Sequence, residues 1–198
     1  MSKQAELDGE SNDARYEYRV WGKHRKARKI LSSLANEEIT EQISDCYFLV
    51  DDPGWNAKVR DSTLKVKKLV AEERGFERWT SNWHRAAETA PAPFDELFED
   101  LRLDRPGRGK SFDLPKAVGR LDPDTAATAV FVTKQRTRYR VGSMRAEATD
   151  VTIADTGEVL HTLAIEGDDL DDLVGLRKKL GLKGSANVAM HVAIDAEG

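Results

Sequence analysis

The stretch VFVTKQRTRYRVG, residues 130–142, constrains the fold of this chain more than any other segment. From position 134 to position 140 every second residue is basic, and β-branched and aromatic residues surround the run. Successive side chains of a β-strand point to opposite faces, so Lys134, Arg136, Arg138 and Arg140 are predicted to share one face. Because like charges repel, that face must either contact water or surround an anion.

Other segments repeat this alternation and are predicted to be strands. They include ARYEYRVWG (14–22), ITEQISDCYFLVDD (39–52), the hairpin AKVRD and STLKVKKLVAE (57–72), and two strands that follow residue 142. Apart from ITEQISDCYFLVDD and the opening stretch, each of these strands has a face with charged residues. These residues are Arg15, Glu17, Arg19, Lys58, Arg60, Lys65, Lys67, Arg145, Glu147 and Glu166. The opposite faces are mostly apolar and include Val59, Leu64, Val66, Phe131, Tyr139 and Val141, which can pack under helices. The polar faces are either ordinary solvent faces of an antiparallel sheet or the lining of a closed barrel.

Helical spacing of apolar residues predicts helices at 23–38, 94–103 and 168–182. The last of these, DDLDDLVGLRKKLGL, has acids in its first turns and bases in its last turns, which complements the helix dipole. The apolar segment ANVAMHVAI (186–194) is predicted to be a closing strand. Together these elements favour an α+β class with a large antiparallel sheet or barrel.

Composition limits where the chain acts and what it binds. The 198 residues predict a flexible N-terminus at 1–13 and a single domain at 14–198. The net charge is −4, so an anion site must arise from local sorting of charges. One cysteine, no secretory signal and no apolar run long enough to span a membrane predict a cytoplasmic protein without a membrane partner.

The succession of motifs across 14–194 resembles the CYTH or triphosphate tunnel metalloenzyme superfamily. The matching segments are RYEYRVW, ISDCYFLVDD, AKVRDSTLKVKKL, FVTKQRTRY, AEATDVTI and LAIEGDDLDDLVGLRKKLGL. The resemblance implies an eight-stranded antiparallel β-barrel, a tunnel, with helices packed on the outside. It also implies a triphosphate-containing substrate, a small-molecule polyphosphate or nucleotide, inside the tunnel.

The resemblance also assigns roles by position. Phosphate oxygens would be bound by Arg19, Lys58, Arg60, Lys65, Lys67, Lys134, Arg136 and Arg138. Glu17, Glu147 and Glu166 would hold Mg²⁺ or Mn²⁺, and Glu17 would also be the catalytic residue that orients water. Arg138 and Arg140 would lie nearer the mouth of the tunnel than Lys134.

Three positions depart from the family pattern, since Arg15 and Ala164 stand where acids are expected and Arg19 stands where a lysine is expected. Removing two carboxylates weakens a divalent metal site. One hypothesis is therefore a metal-dependent phosphohydrolase acting on inorganic triphosphate or on an organic or nucleoside triphosphate. The alternative is a non-catalytic tunnel that binds a phosphorylated or nucleotide ligand, so the sequence leaves open whether the chain is an enzyme.

A third hypothesis is binding of nucleic acid through the basic strands. Aromatic residues do interleave with basic residues in the two segments KQRTRYRV and RWTSNWHR. The negative net charge and the absence of a nucleic-acid-binding motif place this hypothesis behind the other two. The sequence leaves the oligomeric state open.

Overall fold

Eight antiparallel strands close into a barrel in the computed structural model, which describes residues 14–49, 53–61, 63–80 and 128–196. The order around this barrel is β1-β5-β4-β3-β2-β6-β7-β8. The strands are β1 (Arg15–Trp21), β2 (Glu37–Leu49), β3 (Trp55–Arg60), β4 (Thr63–Glu73), β5 (Phe76–Trp79), β6 (Thr128–Val141), β7 (Met144–Ile153) and β8 (Val159–Gly167). The described helices are α1 (Arg25–Leu34), α2 (Leu170–Lys179) and α3 (Met190–Asp195). The predicted α+β class and the eight-stranded antiparallel barrel are confirmed.

Strand register decides which side chains face the interior. β2 pairs with β6 along its whole length, with Glu41 opposite Arg136 and Ile39 opposite Arg138. The basic face of β6 points into the barrel, where Lys134, Arg136 and Arg138 line a cavity. The opposite face of β6 carries Tyr139, which belongs to the apolar core outside the barrel.

The outer core lies between the barrel and the helices α1 and α2. Its buried members include Tyr18, Val20, Leu31, Leu163, Ile165, Leu173 and Leu176. At the start of α2, the carboxylate of Asp169 accepts hydrogen bonds from the backbone N–H groups of Asp171 and Asp172. The predicted order of acids before bases along this helix is present. Two apolar residues depart from the prediction that they pack under helices, because Phe131 is 42% exposed and Val66 is among the residues that line the cavity.

The predicted strand at 186–194 is wrong, because Met190–Asp195 forms the helix α3. Met190 and Ile194 pack against one end of the barrel, in a buried cluster with Tyr47, Leu49, Val130, Val132, Val151 and Ile153. Several of these, such as Val132 and Tyr47, share the inward face of their strands. α3 therefore closes one end of the barrel, whereas α1 and α2 pack against its outer side.

The segment that precedes α3 fills a gap beside β1. β5 pairs with β1 only from Arg15 to Glu17. Beyond that point the N–H of Arg19 donates to Oδ1 of Asn187, and the N–H of Val188 donates to the carbonyl of Arg19. Only the residues just before α3 therefore contact the edge of β1 that β5 leaves unpaired, and the rest of the apolar segment forms a helix.

The predicted N-terminal segment 1–13 and the predicted helix 94–103 lie outside the described residues. None of the helices in the described ranges is long and apolar enough to cross a membrane.

Candidate functional site

The barrel contains a cavity of about 260 Å³ whose lining is strongly basic. Eleven of the lining residues are Lys or Arg, and four are Glu. Every site residue predicted from the sequence is among them: Glu17, Arg19, Lys58, Arg60, Lys65, Lys67, Lys134, Arg136, Arg138, Glu147 and Glu166. The fold therefore brings together residues that are far apart in the chain, while their individual roles stay predictions.

The cavity has a deep end and a more exposed end. Along β6 the exposed fraction of the side chain rises from 3% at Lys134 to 17% at Arg136 and 27% at Arg138. Lys134 lies two positions along the strand from Val132, which packs near α3. The deep end is thus the end that α3 closes, and the expectation that Arg138 lies nearer the mouth than Lys134 is confirmed.

The deep end is organised around the buried carboxylate of Asp45. Arg60 donates from Nε to Oδ1 at 2.6 Å and from Nη2 to Oδ2 at 2.7 Å. Lys134 Nζ donates to Oδ2 at 2.7 Å, and Lys58 Nζ lies 3.5 Å from the same oxygen. Burial favours the neutral acid, but these three cations outweigh it and hold the pKa of Asp45 far below its usual range. One ionised carboxylate therefore faces three bases, which leaves an excess of positive charge.

Two lysines share the hydroxyl group of Tyr47 in addition to Asp45. The Tyr47 hydroxyl accepts hydrogen bonds from Lys134 Nζ at 2.6 Å and from Lys58 Nζ at 3.4 Å. Burial raises the pKa of Tyr47, so its hydroxyl stays protonated. Burial also lowers the pKa of Lys134 to about 8 and that of Lys58 well below its ordinary value, despite the attraction of Asp45. An anion that enters beside these lysines would favour their charged forms.

A second cluster forms where Arg19 lies between two of the predicted metal ligands. Arg19 Nη2 is 3.0 Å from Glu17 Oε1 and 2.8 Å from Glu147 Oε1. Lys67 Nζ donates to the other oxygen of Glu17 at 3.3 Å, and Arg136 Nη1 donates to the other oxygen of Glu147 at 3.4 Å. All four oxygens of these two carboxylates therefore already accept a hydrogen bond from a cation.

These contacts keep both acids ionised. Burial opposes the charge of Glu17, but Lys67 and Arg19 outweigh it and lower the pKa of Glu17 to about 2. Arg19 and Arg136 likewise outweigh burial at Glu147 and lower its pKa. Glu166, the third predicted metal ligand, lies 3.7 Å from Arg145.

The predicted Mg²⁺ or Mn²⁺ ligands do not fit a resident metal ion. Within the described part of the chain, no three His, Cys, Asp or Glu side chains are arranged so that they could hold a metal. For Glu17 and Glu147 to be metal ligands, their carboxylate oxygens would have to point at the ion. The oxygens of Glu17 and Glu147 are instead directed at guanidinium and ammonium groups.

The sequence interpretation missed three residues of the site, all on β2. Asp45 and Tyr47 organise the deep end, and Glu41 Oε1 accepts a hydrogen bond from Arg136 Nε at 2.8 Å. The three residues alternate along one strand, so their common face could have been noticed. The sequence does not show the pairing register, which places this face of β2 beside the basic face of the neighbouring strand β6.

The comparisons with known proteins agree with the barrel. No protein-family model matches the sequence, and no curated protein is similar to it. The PH1012 protein from Pyrococcus horikoshii matches with a TM-score of 0.51 at 15% identity, over 90% of this chain and 98% of that one. The PH1819 protein of the same organism matches with a TM-score of 0.47 at 12% identity, over 93% and 99%. The Pct1 RNA triphosphatase from S. pombe matches with a TM-score of 0.40 at 10% identity, over 87% and 81%.

The last two TM-scores are below 0.5, so of these three likenesses only the one to PH1012 bears on this chain, and it concerns the fold. That likeness supports the eight-stranded antiparallel barrel that the resemblance to the triphosphate tunnel superfamily implied.

Proposed function

We propose that the tunnel binds the triphosphate group of a small molecule, either inorganic triphosphate or a nucleoside or other organic triphosphate. The observation that supports this proposal is the lining of the cavity, with eleven Lys or Arg residues and four Glu residues. The whole chain has a net charge of −4, so the positive charge is concentrated inside the barrel. Several cations that converge from different strands suit one ligand with several negative charges.

The depth of the cavity suggests how a linear polyphosphate would lie. Lys58 and Lys134 would contact the phosphate at the deep end, where they share a single carboxylate. Arg136 and then Arg138 would contact phosphates nearer the mouth, as their rising exposure along β6 indicates. Guanidinium groups donate two parallel hydrogen bonds to phosphate oxygens, which fixes the ligand as well as attracting it.

Calorimetric titration with inorganic tripolyphosphate tests this proposal. Replacing Arg136→Met removes a cation from the middle of the lining, and we expect the affinity to fall by about tenfold or more. The control is Lys179→Met, an exposed residue at the end of α2, which should leave the affinity unchanged. Equal affinities for the two variants, or no binding by the wild-type protein, would contradict the proposal.

Hydrolysis of a bound triphosphate is the second candidate, and the position of Glu17 favours it. Glu17 lines the cavity and is ionised at neutral pH, since its pKa is about 2. A carboxylate with so low a pKa is a weak proton acceptor, because general bases work best with a pKa near the working pH. Glu17 could still orient a water molecule by accepting its hydrogen bond.

A phosphate-release assay separates binding from hydrolysis. The substrates are tripolyphosphate and nucleoside triphosphates, supplied as their Mg²⁺ or Mn²⁺ complexes. If Glu17 orients the attacking water, Glu17→Gln should abolish release while tripolyphosphate still binds. Release that persists at the wild-type rate in Glu17→Gln would exclude this role, and no release by the wild-type protein would leave binding alone.

A further inference from the structure

Arg19 lies where a metal ion would have to lie if Glu17 and Glu147 were ligands. The side chain is buried, and its Nη2 atom bridges the two carboxylates at 3.0 and 2.8 Å. Its Nε atom donates a further hydrogen bond to Glu17 at 3.2 Å. The guanidinium group is therefore the cation that separates two acids which would otherwise repel each other.

The register of three strands explains how Arg19 reaches both acids. Arg19 on β1 pairs with Ala164 on β8, and Ala164 pairs with Glu147 on β7. The three side chains thus lie side by side on the inner face of the barrel. Because Ala164 has only a methyl group, the long side chain of Arg19 can cross over β8 to Glu147.

The missing acid at position 164 and the bridging arginine are therefore parts of one arrangement. A glutamate at position 164 would stand between Arg19 and Glu147 and would offer a third carboxylate close to the other two. In this chain that carboxylate is absent, and the two that remain accept hydrogen bonds from Arg19, Lys67 and Arg136. A divalent ion that took Glu17 and Glu147 as direct ligands would have to displace Arg19, which would leave a buried guanidinium without its partners.

We propose that the guanidinium group of Arg19 takes the place of a divalent cation between Glu17 and Glu147, so that the tunnel binds its ligand without a resident metal. The statement about the ligand rests on the proposed function, whereas the exclusion of a metal rests on the contacts of Arg19 alone. The tunnel then carries a permanent cation, because a guanidinium group does not lose its proton at physiological pH.

Binding of Mn²⁺ in the absence of any phosphate compound tests the exclusion directly, by electron paramagnetic resonance of the free ion. We expect the wild-type protein to bind no Mn²⁺ at millimolar concentration. Arg19→Met removes the cation and frees one oxygen of each carboxylate, and it should bind Mn²⁺ at least about tenfold more tightly than the wild type. Arg19→Lys keeps a positive charge at the same position and is the matched control, which should behave like the wild type.

Thermal unfolding shows whether each variant folds. If Arg19→Met does not fold, Ala164→Glu provides the same readout, because the added carboxylate separates Arg19 from Glu147 and should also raise Mn²⁺ binding. Mn²⁺ binding by the wild-type protein would overturn the proposal. It would also be overturned if a folded Arg19→Met or Ala164→Glu variant bound Mn²⁺ no better than the wild type.

Calorimetric titration of the wild-type protein with tripolyphosphate, with and without a chelator, tests the statement about the ligand. Equal affinity under the two conditions supports metal-free binding, and loss of binding with the chelator overturns it. If tripolyphosphate binds under neither condition, the proposed function and the statement about the ligand both fail, while the Mn²⁺ measurement still decides the exclusion of a metal.

Discussion

Asp45 illustrates how one residue makes a cationic interior compatible with folding. Three bases point into the closed end of the barrel, and a single fully buried carboxylate lies between them. Burying charges is costly unless they are paired and hydrogen-bonded. Asp45 meets this requirement for Arg60 and Lys134 and leaves enough positive charge to attract an anion.

Asp45→Asn should destabilise the folded protein by about 3–5 kcal/mol, because it leaves the buried Lys134 and the partly buried Lys58 and Arg60 without their common counter-ion. The measurement is the free energy of unfolding in urea. Asp155→Asn is the matched control, since Asp155 is exposed in the turn between β7 and β8. A loss of less than about 1 kcal/mol for Asp45→Asn, the size typical of exposed ion pairs, would contradict the interpretation of this cluster.

The pKa of Lys134 predicts how ligand binding responds to pH. Burial lowers this pKa to about 8, so the free protein loses the charge of Lys134 as the pH rises through 8. The affinity for tripolyphosphate should therefore fall above pH 8. Calorimetric titrations across this range measure the effect, and Lys134→Arg, which stays charged, should show a smaller decline. Identical profiles for the two proteins would show that another group controls the pH dependence.

The same lowered pKa has the opposite effect on stability. Between pH 8 and the ordinary lysine value of 10.5, the unfolded chain binds a proton at Lys134 more strongly than the folded protein does. The contribution of Lys134 to the free energy of unfolding therefore rises with pH across this window. The folded protein without a ligand thus favours neutral Lys134, whereas a bound anion favours the charged form of Lys134.

Among the elements, α3 is the helix that closes one end of the cavity. The helix covers inward-facing apolar residues at the end of the barrel where Lys134 lies. In the segment before it, the N–H of Val188 donates to the carbonyl of Arg19 on β1, and Trp21 Nε1 donates to the carbonyl of Val188 at 2.9 Å. Both the apolar contacts of α3 and the hydrogen bonds of the segment that precedes it therefore hold the helix in place.

Ile194→Ala should lower the free energy of unfolding by about 2–5 kcal/mol, because it leaves a cavity in the cluster beneath α3. Ile194 is fully buried there. Val192→Ala in the same helix is the control, since Val192 is 38% exposed and should cost no more than about 0.5 kcal/mol. Urea unfolding of both variants gives the comparison. If the two variants lost similar amounts of unfolding free energy, α3 would not pack against the end of the barrel as described.

For the molecule as a whole, the sorting of charge matters more than its total. A chain with a net charge of −4 places eleven Lys or Arg residues around one cavity. The barrel makes this possible because it separates an inner from an outer face on every strand. The acids that offset the bases lie partly inside as paired carboxylates and partly on the outer surface, as at Asp171 and Asp172 at the start of α2.

Because the cations lie at successive depths, the length of the ligand should control its affinity. We expect the rise in melting temperature to be largest with tripolyphosphate, smaller with pyrophosphate and smallest with orthophosphate at equal concentration, since tighter ligands stabilise the folded state more. Added salt should reduce the rise, because exposed parts of the site are screened. Equal shifts for the three phosphates would indicate a single-phosphate site instead of a tunnel.

The sequence by itself determined that the opening stretch is a strand and that Lys134, Arg136 and Arg138 share one face, because side-chain alternation is a local property of extended backbone. It also placed every predicted site residue on a face that lines the cavity. Only the tertiary structure decided that this face is enclosed, that α3 closes one end and that Arg19 bridges Glu17 and Glu147 across Ala164. These features depend on the register and closure of strands that are distant in the chain, and alternation within a single strand carries no information about which strand becomes its neighbour.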